Sequence, residues 1–166
     1  MAKHALIHNG SVSEFRNVEP ASIPAHKVAD DGGPLLRPVV ESDVPAFRPE
    51  LAQLSTSIVV EKARVLVQHT VVEKPLTDQR AAVKAEARRR ILARFPDWKQ
   101  ANMTARGVDL QDLWRRNAKW AETEQAEADA LSAAWVWIRA VRAASDAIEA
   151  LDAVPADFDD DKRWPA

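Results

Sequence analysis

The sequence has no cysteine and no tyrosine, and only four glycines and two methionines among 166 residues. Without cysteine there is no disulfide, no thiolate nucleophile and no cysteine-ligated zinc. No apolar run approaches the roughly 18–20 residues of a membrane-spanning helix, so membrane insertion is not expected. The opening stretch, Met1 to His8, has too short an apolar run for a secretory signal, which predicts a start in the cytoplasm. A glycine-rich phosphate loop, a nucleophile elbow, a His–Glu metal helix and a dinucleotide fingerprint are all missing. Acidic pairs are plentiful, but they fall in helix-forming or tail contexts where solubility accounts for them. These absences argue against an enzyme, and no cofactor is expected.

Charge is equally uninformative about ligands. The formal net charge is −2 and the pI about 6.1, so nothing global draws the chain to nucleic acid or an anionic membrane. Arg88-Arg89-Arg90, with Arg80, Lys84 and Arg94, form a local basic cluster, but Glu86 lies among them. Pairing with acidic groups of the chain or of a protein partner is its simpler use, and no nucleic-acid partner is expected. His4 and His8 would lie ~13 Å apart along a strand, too far to share one ion. A metal on a trimer axis would take one of them from each chain; ordinary surface histidine is the simpler reading. His26 and His69 have no ligand-spaced neighbour. Asp159-Asp160-Asp161 lack the glycine and the glutamate of a calcium loop. No metal site is expected.

What the chain does have is alanine, charged helix formers and six tryptophans, five of them between Trp98 and Trp137. A hydrophobic fraction of 46%, much of it alanine, predicts a thin, helix-packed core. Large flat side chains concentrated on helices point to helix packing or to an interface.

The chain changes character near Pro75. Before it, Pro20, Pro24, Pro34, Pro38, Pro45 and Pro49 punctuate the sequence, with Gly10, Gly32 and Gly33. Asn9-Gly10 between two short β-compatible runs predicts a hairpin, because both turn positions favour positive φ. Asp31-Gly32-Gly33-Pro34 predicts a turn. Leu35 to Val40 predicts a short strand, which Pro38 assigns to an edge. Ile58 to Glu61 and Arg64 to Val72 are rich in β-branched residues and predict a second hairpin turning near Lys62. Val65, Val67, His69 and Val71 would share one face.

After Pro75, helix formers dominate. Thr77 is the expected N-cap of a first helix, with Val83, Ala87, Ile91 and Phe95 as its apolar stripe. Pro96 ends or kinks it. Trp98 to Arg106 predicts a second helical piece that Gly107 stops. Asp109 would then cap a long helix from about Leu110 to Leu151. One heptad column reads Leu110, Asn117, Glu124, Leu131, Ile138 and Ser145. The other reads Leu113, Trp120, Glu127, Ala134, Val141 and Ile148. Glu124 and Glu127 interrupt the seam, which predicts a solvated waist or a break between Glu122 and Asp129. Pro155 ends the helix.

Several segments have a familiar form. Arg94-Phe95-Pro96-Asp97-Trp98-Lys99-Gln100-Ala101-Asn102-Met103 resembles an R-x-P-x-W-x-Q-x-N segment of small tail proteins of tailed bacteriophages and prophages. Trp135 to Asp146, then Pro155-Ala156-Asp157-Phe158 and a tryptophan near the terminus, resemble the same proteins. So does the first half, in its opening A-L-I-x-N-G-x-V hairpin and its later L-L-R-P-V-V-E and K-P-L-T. The resemblance is most specific over 94–103 and 131–158. It implies a role in a tail, a tail fibre or fibre assembly, and it implies no catalytic residue.

The expected fold is α+β: a small N-terminal antiparallel β-hairpin head over 1–75, a helical hairpin or coiled coil over 76–154, and an acidic, solvated tail over 155–166. The expected function is that of a virion structural protein of the tail tip, baseplate or tail fibre. It would bind other tail or fibre proteins and form a homo-oligomer, most simply a trimer. The alternatives are a fibre-assembly chaperone absent from the virion and a module that binds host glycan. The candidate interface residues are Trp98, Trp114, Trp120, Leu131, Trp135, Trp137, Ile138, Val141 and Ile148. Trp135 and Trp137 lie about 200° apart around a helix, so one of them should meet a second surface.

Overall fold

The structure is a computed structural model that describes residues 2–18 and 35–166. The expected turn at Asp31 to Pro34, and His26, lie outside the described residues. The chain divides into two compact units, Met1–Glu73 and Lys74–Ala166.

The first unit is a sheet of five strands: β1 (Ala2–His8), β2 (Ser11–Val18), β3 (Leu35–Glu41), β4 (Ala52–Val60) and β5 (Val65–Glu73). Asn9 and Gly10 take φ of 52° and 75° and join β1 to β2, as the local turn chemistry requires. β4 and β5 form the second hairpin, in unbroken antiparallel register from Ala52↔Glu73 to Val60↔Val65. The two hairpins do not stand alone. β3 runs antiparallel to β1 and parallel to β5, giving the order β2-β1-β3-β5-β4. The sheet is therefore mixed, and it curls into a half-barrel.

This corrects the expected antiparallel hairpin head. Parallel pairing joins segments distant in sequence and leaves no local turn signal. Pro38 is also not on an edge strand. It sits where the partner of β3 changes: β1 pairs with Leu35 to Pro38, and β5 begins at Val39. Its missing N–H thus falls at the junction of two half-ladders. Ala5, Ile7 and Val65 form the small core, with Val12, Leu35 and Val39 packed against them.

The second unit has three helices: α1 (Leu76–Arg94), α2 (Asp97–Asn117) and α3 (Glu122–Glu149). α1 opens at Pro75, whose fixed φ suits a helix start; Thr77, the expected cap, lies inside the helix. Phe95 ends α1 and Pro96 precedes α2, because proline disfavours helical geometry in the residue before it. α1 and α2 both run antiparallel to α3, one along each half. Lys84 meets Glu149 near one end, Phe95 meets Trp137 in the middle, and Arg106 meets Glu127 further along.

The long helix expected from Leu110 to Leu151 is broken, and not where glycine suggested. Gly107 stays inside α2. The break falls at 118–121, where Ala118 adopts a left-handed φ of 55° and closes α2 by donating its N–H to the Trp114 carbonyl. Trp120 fixes the turn. Its ring packs 5.1 Å from that of Trp114, and its Nε1–H donates to the Leu110 carbonyl at 2.8 Å. Glu124 then belongs to a helix start: its carboxylate accepts the Ala121 N–H at 2.8 Å. Glu127 pairs with Arg106 at 2.6 Å. A coiled-coil seam through Glu124 and Glu127 is thereby ruled out, which corrects the second half of the expected fold.

Val83, Ala87 and Ile91 of α1 face Ile138, Val141, Ser145 and Ile148 of α3, all of them buried. Fully enclosing a side chain such as Ile138 or Val141 contributes about 1.5–3 kcal/mol. Residues 155–166 are not a free tail. Val154, Phe158 and Trp164 are buried, and the Trp164 Nε1–H donates to the Phe158 carbonyl at 2.8 Å. Arg90 of α1 donates to the Asp159 carbonyl at 2.7 Å, pairs with Asp161 at 2.9 Å and stacks over the Trp164 ring. Aromatic burial thus overrides the acidic composition of this segment.

Candidate interaction surfaces

In the sheet unit the side chains of β4 and β5 divide cleanly between two faces. One face carries Leu54, Thr56, Ile58 and Val60 of β4 opposite Val71, His69, Val67 and Val65 of β5. The core occupies only part of it, at Ala52, Val65 and Val67. Leu54, Ile58, Val60 and Val71 remain exposed there, as do Val59 and Val72 on the other face. Ile58 and Val59, neighbours in β4, expose 47% and 44% of their surface, so the strand is apolar and open on both sides.

A row of polar groups crosses the core face. Lys3 pairs with Glu41 at 2.9 Å, Glu41 Oε1 lies 3.0 Å from His69 Nε2, and His69 Nδ1 lies 3.0 Å from Thr56 Oγ1. The Lys3 ammonium, and then the His69 ring, hold the Glu41 carboxyl below the usual carboxylate range. An ionised carboxylate only accepts, so His69 Nε2 donates to Glu41, and Nδ1 faces the Thr56 hydroxyl. Hydroxyl, imidazole and carboxylate stand here in the order of a nucleophilic relay. Yet Thr56 lies on an exposed strand, and Lys3 shares the carboxylate. The row spans β1, β3, β5 and β4, and it serves as a cross-strand ladder that fixes their register.

The helical unit receives the nine residues singled out from the sequence, and it separates them. Ile138, Val141 and Ile148 fill its core. Leu131 and Trp135 are half-buried and line a recess of about 380 Å³ with Met103, Leu110 and Trp120. Trp137 turns the other way: it packs edge-on against Phe95, lies under the Arg94 guanidinium, and donates from Nε1 to the Ala166 carbonyl at 2.9 Å. The opposed directions of Trp135 and Trp137 are thus both met within this unit. Trp98 and Trp114 face solvent, exposed by 67% and 48%.

The basic cluster of α1 is largely neutralised within the unit. Glu86 accepts from Arg89 and Arg90 at 2.6–2.7 Å, and Arg89 above all lowers its carboxyl against the opposing effect of burial. Arg88 lines an open cleft of about 420 Å³ together with Lys84, Arg142, Asp97, Asp146 and Glu149. Like numbers of cations and carboxylates meet there, which favours no ligand of one sign. His4 is buried, with Nδ1 3.0 Å from the Ala2 carbonyl oxygen. Among the described residues no group of three or more His, Asp or Glu side chains is placed to hold a metal ion. No described helix is long and apolar enough to cross a membrane.

Sequence reasoning missed the apolar edge of β4. Its first half, Ala52-Gln53-Leu54-Ser55-Thr56-Ser57, is polar enough to read as loop, and only Ile58-Val59-Val60 carries a strand signal. No known protein family, curated protein or solved structure matches the chain.

Proposed function

We propose that the chain is a structural component of a bacteriophage tail, in the tail tip, baseplate or tail fibre, and that it works by protein–protein assembly rather than catalysis. The observation that carries assembly is the uncovered apolar surface. Among the described residues, an uncharged strand of nine residues has a neighbour on one side only, and two tryptophans stand out from the helices. Exposed apolar edges and aromatics of this kind mark surfaces that a partner covers.

The assignment to a tail rests on the resemblance of 94–103 and 131–158 to small tail proteins. Those two segments contribute Phe95, Met103, Ile138, Val141, Ile148, Val154 and Phe158 to the helical core, which also holds Val83, Ala87, Ile91, Leu110 and Trp164. Other tail or fibre proteins are the natural partners, and the protein would be made in the host cytoplasm and carried in the virion. The seam on which a trimer was expected is consumed inside the chain, so self-association needs another surface.

Mass spectrometry of purified particles, with copy number per virion, tests this reading. The protein is expected in the particle at a fixed copy number. Presence in infected-cell lysate with absence from particles would replace the structural role with that of a fibre-assembly chaperone. Glycan binding by the purified chain would favour a host-contact module.

A further inference from the structure

We propose that β4 pairs with β4 of a second copy, antiparallel and about a two-fold axis at Thr56, to make one continuous sheet of ten strands. The proposal rests on the reading of the chain as an assembly protein, not on its place in a tail.

The backbone of β4 is prepared for such pairing. In an antiparallel ladder, alternate residues turn their N–H and C=O toward one neighbour and the rest turn theirs away. Glu61 donates its N–H to the Arg64 carbonyl at 2.9 Å, which makes the odd-numbered residues of β4 the ones bonded to β5. The other side of β5 agrees. The His69 N–H donates to Ser42 Oγ at 2.9 Å and the Val67 carbonyl accepts the Ser42 N–H at 2.9 Å, so both residues turn toward β3. Their partners Thr56 and Ile58, with Leu54 and Val60, therefore aim their backbone groups outward, while the Ala52 N–H is already taken by the Arg48 carbonyl at 2.9 Å. The usual guards of an edge are absent: β4 has no lysine, no proline and no break in register.

The side chains select the occupant. Ala-Gln-Leu-Ser-Thr-Ser-Ile-Val-Val is nearly symmetric about its central threonine. A two-fold axis there sets Thr56 against Thr56, Leu54 against Ile58 and Ala52 against Val60 on one face. On the other it sets Ser55 against Ser57 and Gln53 against Val59. Apart from Gln53 against Val59, like meets like, hydroxyl with hydroxyl and aliphatic with aliphatic, which are favourable cross-strand pairs. Charge is complementary at both ends. Within the pairing strand there is none, and in the turns just beyond it the two-fold brings Glu50, which also pairs with Arg48 at 3.8 Å, to the same end as Lys62 of the second copy. A register moved by two residues shortens the ladder and breaks both matches. A strand edge alone buries less than the ~800 Å² per partner of a standard interface, so a weak, reversible dimer is expected.

Sedimentation equilibrium of the full chain, from about 1 to 500 µM, reads the association directly. Reversible dimerisation is expected. Thr56→Lys places two ammonium groups face to face at the axis and should weaken it at least about ten-fold. Glu50→Lys and Lys62→Glu should each weaken it several-fold, and the double variant should restore it. A second, unrelated protein on this edge, with the chain itself monomeric throughout the range, overturns the proposal. So does a dimer that Thr56→Lys leaves unchanged. Melting curves and circular dichroism check that each variant folds. The rescue by charge exchange holds the register to account even if Thr56→Lys disturbs the strand.

Discussion

Two residues of α3 offer a direct test of how the helical unit is packed. Ile138 has no exposed surface, while Val136, two positions earlier, is 54% exposed. Alanine at either site improves helix propensity by a few tenths of a kcal/mol. At position 138 it also deletes buried methyl and methylene groups in the seam between α1 and α3, a change that costs about 2–5 kcal/mol. The neighbouring Trp137 is pinned by its bond to the Ala166 carbonyl, which limits collapse into the vacated space and favours the middle of that range, about 3 kcal/mol. With a urea slope of about 1.5 kcal/mol per M, the unfolding midpoint should fall by about 2 M. Val136→Ala should change stability by less than about 0.5 kcal/mol. Tryptophan fluorescence is the natural probe, because all six tryptophans lie after residue 74 and report on the helical unit alone. Equal shifts for the two variants, or a larger one for Val136→Ala, would mean that α3 presents a different face to its neighbours.

Two further outcomes follow from the connections. Ala118 holds a left-handed φ of 55°, which costs a residue bearing a Cβ about 1 kcal/mol, so Ala118→Gly should raise stability where glycine usually lowers it. A lower melting temperature for that variant would contradict the turn geometry. Asp157 accepts from Arg163 and then Lys162, which bring its carboxyl from 3.8 down to about 2. A carboxyl depressed in the folded state stabilises fully above its unfolded value, and that contribution is lost as pH falls from about 4 toward 2. Asp157→Asn should therefore melt lower at neutral pH, with its gap to the parent chain closing across that interval. A gap that stays constant with pH would show that the ion pairs do not stabilise the segment.

The elements that depend on neighbours in sequence were legible from it. Asn9-Gly10 carries its own turn chemistry, and Pro96 separates two helices by sterics alone. The four-residue spacing of Val83, Ala87 and Ile91 marks a buried stripe on any helix. Three things were hidden, each for a physical reason. The β3–β5 pairing joins strands through a long connection and has no local marker. The break after α2 depends on Trp120 reaching back to Leu110, a contact between side chain and backbone that composition does not display. The acidic run at 157–161 conceals two aromatic anchors, Phe158 and Trp164, because its charge density is that of a solvated tail. The candidate surface was read in the same uneven way. Of the interface candidates Trp98 and Trp114 are exposed, whereas Ile138, Val141 and Ile148 are core, and serine and threonine mask the β4 edge in the sequence pattern.

The buried position of Trp164 also has a consequence in time. Domains fold as units during synthesis. The sheet unit has all its strands once Glu73 has emerged. The helical unit has to wait for the ring that stacks beneath Arg90 and closes over its end. At roughly 5–20 residues per second, the intervening stretch of about ninety residues takes some 5–20 s to make. For that interval α1 lacks first α3 and then the Trp164 ring, and the two halves of one polypeptide mature on separate clocks.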